Sequence, residues 1–123
     1  RPSQIVLVPR DGSPLRCIDV DTHFCFHFAN GFEADGEVVI DMVRASEFYL
    51  GEETAGEGKP VWITSDMDAI PTTELWRYKI SLETGKWTKS CLCSRHVEFP
   101  STSRVVSGKP HRFVYCGTAV REE

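Results

Sequence analysis

Two side chains in this sequence stand where they could serve a metal ion. His27 occupies the middle of an aromatic run, Phe24-Cys25-Phe26-His27-Phe28-Ala29. A neutral imidazole offers one ring nitrogen to a cation once another group takes its other N–H. Glu98 lies between Val97 and Phe99, just before Pro100. An alternating strand would set that carboxylate opposite apolar neighbours, and a carboxylate in such a place needs a partner. The local patterns also fit plainer roles: a half-buried histidine hydrogen-bonded to a backbone carbonyl, and a solvated edge acid.

The other candidates have less favourable spacing. His23 sits at a strand entry beside Asp21 and reads as a surface residue, while His96 and His111 flank an irregular stretch. Cys91-Leu92-Cys93-Ser94-Arg95-His96 invites a zinc reading, but Cys-x-Cys with one nearby histidine lacks the paired spacing of a structural site. Those residues define an alternative of a different class, a non-catalytic β-rich interaction module with zinc on Cys91, Cys93 and His96. The five cysteines are odd in number and irregularly spaced. Reduced thiols in an intracellular compartment are therefore expected.

The elements that must position these residues read as strands. Ile5 to Val8 and Leu15 to Val20 flank Asp11-Gly12-Ser13-Pro14 as a β-hairpin. Phe24 to Ala29 and Glu37 to Val43 flank a turn through Ala34-Asp35-Gly36, where glycine supplies the positive φ of a tight reversal. Under strict alternation Phe24, Phe26 and Phe28 share one face and His27 looks the other way with Cys25 and Ala29. Leu75 to Leu82 sets Trp76, Tyr78 and Ile80 against Arg77, Lys79 and Ser81, then turns through Glu83-Thr84-Gly85-Lys86 into Trp87 to Leu92. A last strand is predicted over Arg112 to Cys116. Between strands, a long loop is expected at about 44–74, with one helical turn over Glu47 to Leu50, and Pro100 to Pro110 reads as irregular. The fold class is all-β, built of antiparallel β-hairpins as in a meander, sandwich or propeller.

Composition sets limits on partners. At 123 residues, 41% of them hydrophobic and 26% charged, the chain fits one small domain. A net charge of -4 argues against a nucleic-acid surface, which needs clustered basic residues to displace counterions. No apolar run approaches the roughly 20 residues that span a bilayer, and the amino end carries no hydrophobic signal region. A start without methionine and an unmarked end suggest a piece of something longer.

Four stretches, in order, resemble the carotenoid cleavage oxygenases. They are Ile5-Val6-Leu7-Val8-Pro9-Arg10; Phe26-His27-Phe28-Ala29-Asn30-Gly31-Phe32-Glu33; Leu75-Trp76-Arg77-Tyr78 with Leu82-Glu83-Thr84-Gly85; and Glu98-Phe99-Pro100 through Gly108-Lys109-Pro110-His111-Arg112-Phe113-Val114-Tyr115. Gly31 departs from the alanine usual after the asparagine, and Ser101-Thr102-Ser103 from a more basic and apolar stretch; both bear on local loop shape.

The resemblance implies a seven-bladed β-propeller, of which residues 1–123 would form a fragment of about two blades. It implies Fe(II) held on the axis by four histidines, with His27 as the third in chain order and Glu98 accepting a ligand histidine's far N–H. It implies an oxygenase that uses O2 to split a conjugated C=C bond of a carotenoid or apocarotenoid. Relatives that isomerise and hydrolyse retinyl esters or cleave stilbenes stand as the alternative within the family. The other three iron histidines would lie outside 1–123, so the isolated segment is expected to be inactive. An intracellular location, cytoplasmic or plastid, is expected, with peripheral membrane contact made through parts not present here.

Overall fold

The computed structural model describes residues 1–48 and 71–118. Their strands are β1 (Ser3–Leu7), β2 (Arg16–Val20), β3 (Phe24–Ala34), β4 (Glu37–Ala45), β5 (Glu74–Ser81), β6 (Trp87–Cys93), β7 (Val97–Ser101) and β8 (Tyr115–Thr118). A short 3-10 helix, Arg104–Val106, separates the last two. Strands β3-β4-β5-β6 form a four-stranded sheet, while β1-β2 and β7-β8 form two-stranded sheets. All pairings are antiparallel. The all-β expectation holds, with the strands grouped as one meander and two separate hairpins.

Turn chemistry sets the meander. Asp35 and Gly36 both take positive φ, 53° and 77°, between the paired residues Ala34 and Glu37. That is the backbone of a two-residue hairpin turn whose twist matches the strands it joins. Gly85 turns β5 into β6 at φ 70°, and a Cβ there would also meet Ile18 Cδ1 at 3.4 Å.

The central sheet is covered on both faces. On one, the β1-β2 hairpin packs Ile5, Ile18 and Val20 against Met42, Tyr78 and Ile80. On the other, Val97 of β7 packs against Val43 and Leu75. The alternation anticipated in β5 is present: Tyr78 and Ile80 have no exposed surface. Arg77 faces the opposite side but is no solvated charge, because it forks onto Asp41.

Four expectations need correction. β3 runs on to Ala34 rather than stopping near Ala29, and the last strand is Tyr115–Thr118 rather than starting at Arg112. A strand, β7, covers Val97–Ser101, so Pro100 lies inside a bulged strand instead of opening the irregular stretch. The expected loop is narrower at both ends, since β4 continues through Ala45 and β5 begins at Glu74; residues 46–48 and 71–73 are not strand. The helical turn over Glu47 to Leu50 extends into 49–70, outside the described residues.

A polar network braces the β1-β2 side. Asp21 accepts from Arg44 Nη1 at 2.6 Å, Tyr78 Oη at 2.7 Å and Lys89 Nζ at 2.6 Å. Burial alone would raise its pKa, but the hydrogen bonds from Lys89, Tyr78 and Arg44 outweigh it and hold the carboxyl far below its usual value. The folded pKa is thus below the unfolded one, near ~3.9, so this stabilisation is complete above that pH and is lost as pH falls toward the folded value. Asp21→Asn should cost roughly 1.5–3 kcal/mol near neutrality, the range for hydrogen bonds to a charged group. Thermal unfolding of parent and variant should show a gap that narrows below about pH 4. A gap independent of pH would contradict the account.

Candidate metal-binding site

The site begins with irregularities in β3. Its register against β4 slips between Cys25 and His27 and again between Phe28 and Asn30. Each slip inserts a residue, Phe26 and then Ala29, and each bulge resets which side the next residue faces. Paired residues point to the same side of a sheet. His27 therefore shares a face with Val43, Asn30 with Asp41 and Phe24 with Ala45, while Cys25 and Phe28 point to the β1-β2 side with Arg44 and Met42. The expectation that His27 faces with Cys25 and opposes Phe24 is overturned, because the bulges replace a two-residue period by a three-residue one. Phe26 and Phe28 are also exposed rather than packed behind the histidine.

The second contributor is β7. Glu98 Oε2 lies 2.9 Å from His27 Nδ1. A carboxylate oxygen accepts, so the imidazole hydrogen sits on Nδ1 and Nε2 keeps its lone pair. The same oxygen accepts the Phe99 backbone N–H at 3.1 Å. His27 thus donates to a carboxylate, not to the backbone carbonyl of the plainer reading. Its side chain is 45% exposed and that of Glu98 24%. Nε2 engages no other group among the described residues.

Phe99 reaches that hydrogen bond at a conformational cost. Its φ is +54° although it is a bulky residue followed by proline. This left-handed backbone costs on the order of 1–3 kcal/mol for a residue other than glycine. It accompanies the register shift between Glu98 and Ser101, turning the Phe99 N–H back onto the Glu98 carboxylate. The Phe99 ring lies 5.4 Å from the His27 ring, and Phe24, Phe26 and Phe48 cluster nearby at 4.4 to 6.1 Å between centroids.

The imidazole suits a metal: its near nitrogen is committed to a carboxylate and its far nitrogen is open, the arrangement by which ligand histidines are aimed. It is one donor only. Among the described residues no group of three or more His, Cys, Asp or Glu side chains could hold a metal ion. Cys25, the nearest thiol in sequence, donates to the His27 carbonyl at 3.5 Å. Burial, with a further push from Glu98, raises its pKa to about 11, so it remains a thiol at neutral pH.

The zinc set does not assemble. Leu75 and Trp76 pair with Cys93 and Cys91, so a bulge at Leu92 sends the two cysteines to opposite faces. His96 Nδ1 is occupied by the Thr73 backbone N–H at 3.1 Å. His23, read as a surface residue, is half-buried, with Nδ1 2.8 Å from the Asp21 carbonyl.

One group escaped the sequence reading. Asp41, with no exposed surface, accepts from Arg77 Nε at 2.7 Å, Arg77 Nη2 at 2.8 Å and His111 Nε2 at 2.8 Å. The His111 side chain is 2% exposed, and its Nδ1 lies 3.0 Å from Asn30 Nδ2. The available signal was an acid inside the apolar run Val38-Val39-Ile40-Asp41-Met42-Val43.

Residues 1–123 match the family described as retinal pigment epithelial membrane protein. The chain belongs to this family. Among curated members, the apocarotenoid-15,15'-oxygenase of Synechocystis sp. is 34% identical over 119 residues, which is 97% of this chain and 23% of that protein. The carotenoid 9,10(9',10')-cleavage dioxygenase 1 of Pisum sativum is 24% identical over 106 residues, 86% of this chain and 18% of that protein. The crystal structure of cobalt-substituted Synechocystis apocarotenoid oxygenase, a β-propeller enzyme, superposes with a TM-score of 0.84 at 32% identity. It covers 98% of this chain and 24% of that one. The chain therefore spans between 18% and 24% of the length of these retinal pigment epithelial membrane protein family relatives.

The strained turn beside the site gives a prediction. Phe99→Ala and Phe99→Gly remove the same ring, but only glycine adopts φ +54° freely. The glycine variant should be the more stable by about 1 kcal/mol in denaturant unfolding, the reverse of the order at an extended position. Alanine as the more stable of the two would show that the turn stores no strain.

Proposed function

We propose that this chain is part of a non-haem Fe(II) oxygenase that cleaves a conjugated C=C bond of a carotenoid or apocarotenoid with O2. The observation that carries the reading is the His27 to Glu98 contact, 2.9 Å between residues 71 positions apart in sequence, in a chain of this family. A propeller in which other segments bring their own histidines to the axis is the architecture this reading assumes. Its support is the superposition on the Synechocystis apocarotenoid oxygenase, which has been solved in a cobalt-substituted form.

In this reading His27 supplies Nε2 as a metal ligand. Glu98 holds the hydrogen on Nδ1 and fixes the ring plane, and the negative charge behind the imidazole makes Nε2 a better donor. The Phe99 N–H fixes the carboxylate in turn. When bound, the iron supplies the open coordination positions at which O2 chemistry takes place. Phe24, Phe26, Phe48 and Phe99 supply apolar surface beside the ligand, suited to a polyene and to keeping water from the reacting centre. Neither an ionised substrate group nor a proton shuttle is required of the described residues.

The substrate is expected to come from a lipid phase, and the intact enzyme to be intracellular with peripheral membrane contact through other parts of the protein. No helix among the described residues is long and apolar enough to cross a membrane.

The test uses the full-length enzyme. His27→Ala should abolish tightly bound iron, measured by metal analysis of the purified protein. Glu98→Gln should leave the fold intact and lower cleavage by about 10- to 100-fold, the usual cost of losing a group that orients a metal ligand. Full iron content in the His27 variant would overturn the assignment. Product analysis then fixes the reaction, since aldehydes or ketones from a split polyene indicate carotenoid cleavage, aldehydes from a split stilbene the same oxidative chemistry on another substrate, and an isomerised retinol a reaction without oxidation.

A further inference from the structure

We propose that Asn30 is a positioning residue for the metal site, acting with His111 and Asp41 to hold the strand of Glu98 against the strand of His27. The proposal rests on the metal-site reading above and extends it to residues that would touch neither metal nor substrate.

The need for such a device follows from topology. β3 belongs to the four-stranded sheet and β7 to a separate two-stranded one, so no backbone ladder joins the strand of His27 to that of Glu98. The distance between imidazole and carboxylate is therefore set by contacts outside a ladder, among them the Val97 N–H on the Thr73 carbonyl at 3.1 Å and Thr73 Oγ1 on the Val97 carbonyl at 2.6 Å. Packing of Val97 on Val43 and Leu75 holds β7 over the sheet, but apolar contacts are non-directional and tolerate sliding. The Thr73 hydrogen bonds fix β7 beside the start of β5, and directional contacts to β3 itself must supply the rest.

Asn30 supplies them. It lies three positions beyond His27 and, through the second bulge, on the same face. Its Oδ1 accepts the Gly108 N–H at 3.0 Å. Its Nδ2 lies 3.1 Å from the Val106 carbonyl, 3.0 Å from the Lys109 carbonyl and 3.0 Å from His111 Nδ1. The acceptor and donor ends of the amide are thereby distinguished, and three acceptors share its two hydrogens. One side chain thus clamps the turn between β7 and β8, where Lys109 N–H also bonds back to the Val106 carbonyl and Gly108 takes φ +73°.

The far side of the clamp is anchored in the core. With Asn30 donating at Nδ1, the His111 hydrogen sits on Nε2 and points at Asp41 Oδ2, 2.8 Å away. Arg77 forks onto the same carboxylate from β5. The His111 ring stands perpendicular to that of Phe32 of β3, 5.6 Å between centroids. The turn is thus tied to β3, β4 and β5 together, and β7 enters that turn through only a few residues. A shift of the turn would move Glu98 relative to His27, and a 2.9 Å hydrogen bond tolerates little of that.

The test follows metal geometry rather than turnover. Full-length enzyme is prepared with iron and, separately, with Co(II), whose visible absorption bands report ligand arrangement. Asn30→Ala should lose iron to a chelator about 10-fold faster than the parent and should shift the cobalt bands. His111→Gln keeps an N–H near Asp41 but replaces the fixed ring nitrogen facing Asn30 by an amide oxygen on a flexible chain, and should move both readouts in the same direction by less. A core variant on the opposite face, Ile18→Ala or Val20→Ala, chosen for a loss of thermal midpoint equal to that of Asn30→Ala, should retain iron and cobalt bands like the parent. Equal iron loss in the core variant and in Asn30→Ala, or parent-like metal behaviour in both Asn30→Ala and His111→Gln, would overturn the proposal. If Asn30→Ala does not fold, the His111→Gln result decides alone. Failure of the metal reading is separable: iron retained by His27→Ala removes that reading, whereas iron lost from His27→Ala but kept by Asn30→Ala removes only this proposal.

Discussion

A carboxylate with no exposed surface lies at the centre of the main sheet, and much of the arrangement follows from the need to satisfy it. Asp41 sits in an otherwise apolar stretch of β4. Taking an ion out of water costs several kcal/mol even after relaxation, so such a group persists only where donors surround it. Arg77 comes from the neighbouring strand at the paired position, so the sheet itself delivers the guanidinium. His111 comes from a non-strand segment and has to be brought. Asp41 therefore recruits part of the chain between β7 and β8 to its face, and Asn30 fixes that part once it arrives. The network on the opposite face, around Asp21, joins strand residues to the residue directly after β2 and asks nothing comparable of a long segment.

The candidate site lies where two strands break their own regularity. Two bulges in β3 turn His27 and Asn30 toward the face that carries Val43 and Asp41. In β7 a register shift and the left-handed Phe99 turn a backbone N–H onto Glu98. A regular β3 would have alternated His27 with its neighbours, and a relaxed Phe99 would leave the carboxylate with one donor fewer. Bulges and strained backbones recur at sites where a side chain must be re-aimed, because a uniform pleat offers only two directions. The cost is borne by the surrounding packing, notably the contacts of Val97 with Val43 and Leu75.

Strands with ordinary geometry were legible in the sequence. The first hairpin, β4, β5 and β6 follow from apolar alternation and from turns whose glycines take positive φ. The pairing of His27 with Glu98 was legible only through family resemblance, since no local rule links positions so far apart. The facing of β3 was misread because alternation assumes a period of two, and an inserted residue leaves no mark in composition. β7 was missed because Pro100 signals a break, whereas here it follows a left-handed residue within a bulged strand. The Asp41 network was legible in part: an acid flanked by valine, isoleucine and methionine demands partners, but nothing in the sequence says that Arg77 and His111 are those partners.

The place of β3 in its sheet gives the last step. Among the described residues it is an edge strand, paired to β4 on one side only. A metal held by imidazoles from several parts of a chain requires that their strands approach a common point, and a strand in the middle of a sheet is flanked by its own neighbours. An edge strand can meet others without dismantling its ladder. The same exposure is a liability, since unpaired N–H and C=O groups invite pairing with another chain. The two bulges that aim His27 also interrupt the flat hydrogen-bonding edge that a foreign strand would need. One local irregularity thus serves both the direction of the imidazole and the protection of the edge. Deleting Phe26 or Ala29 would separate the two effects, because the residues on either side would then alternate as their β4 partners do and keep their present faces, while the regular edge would lengthen.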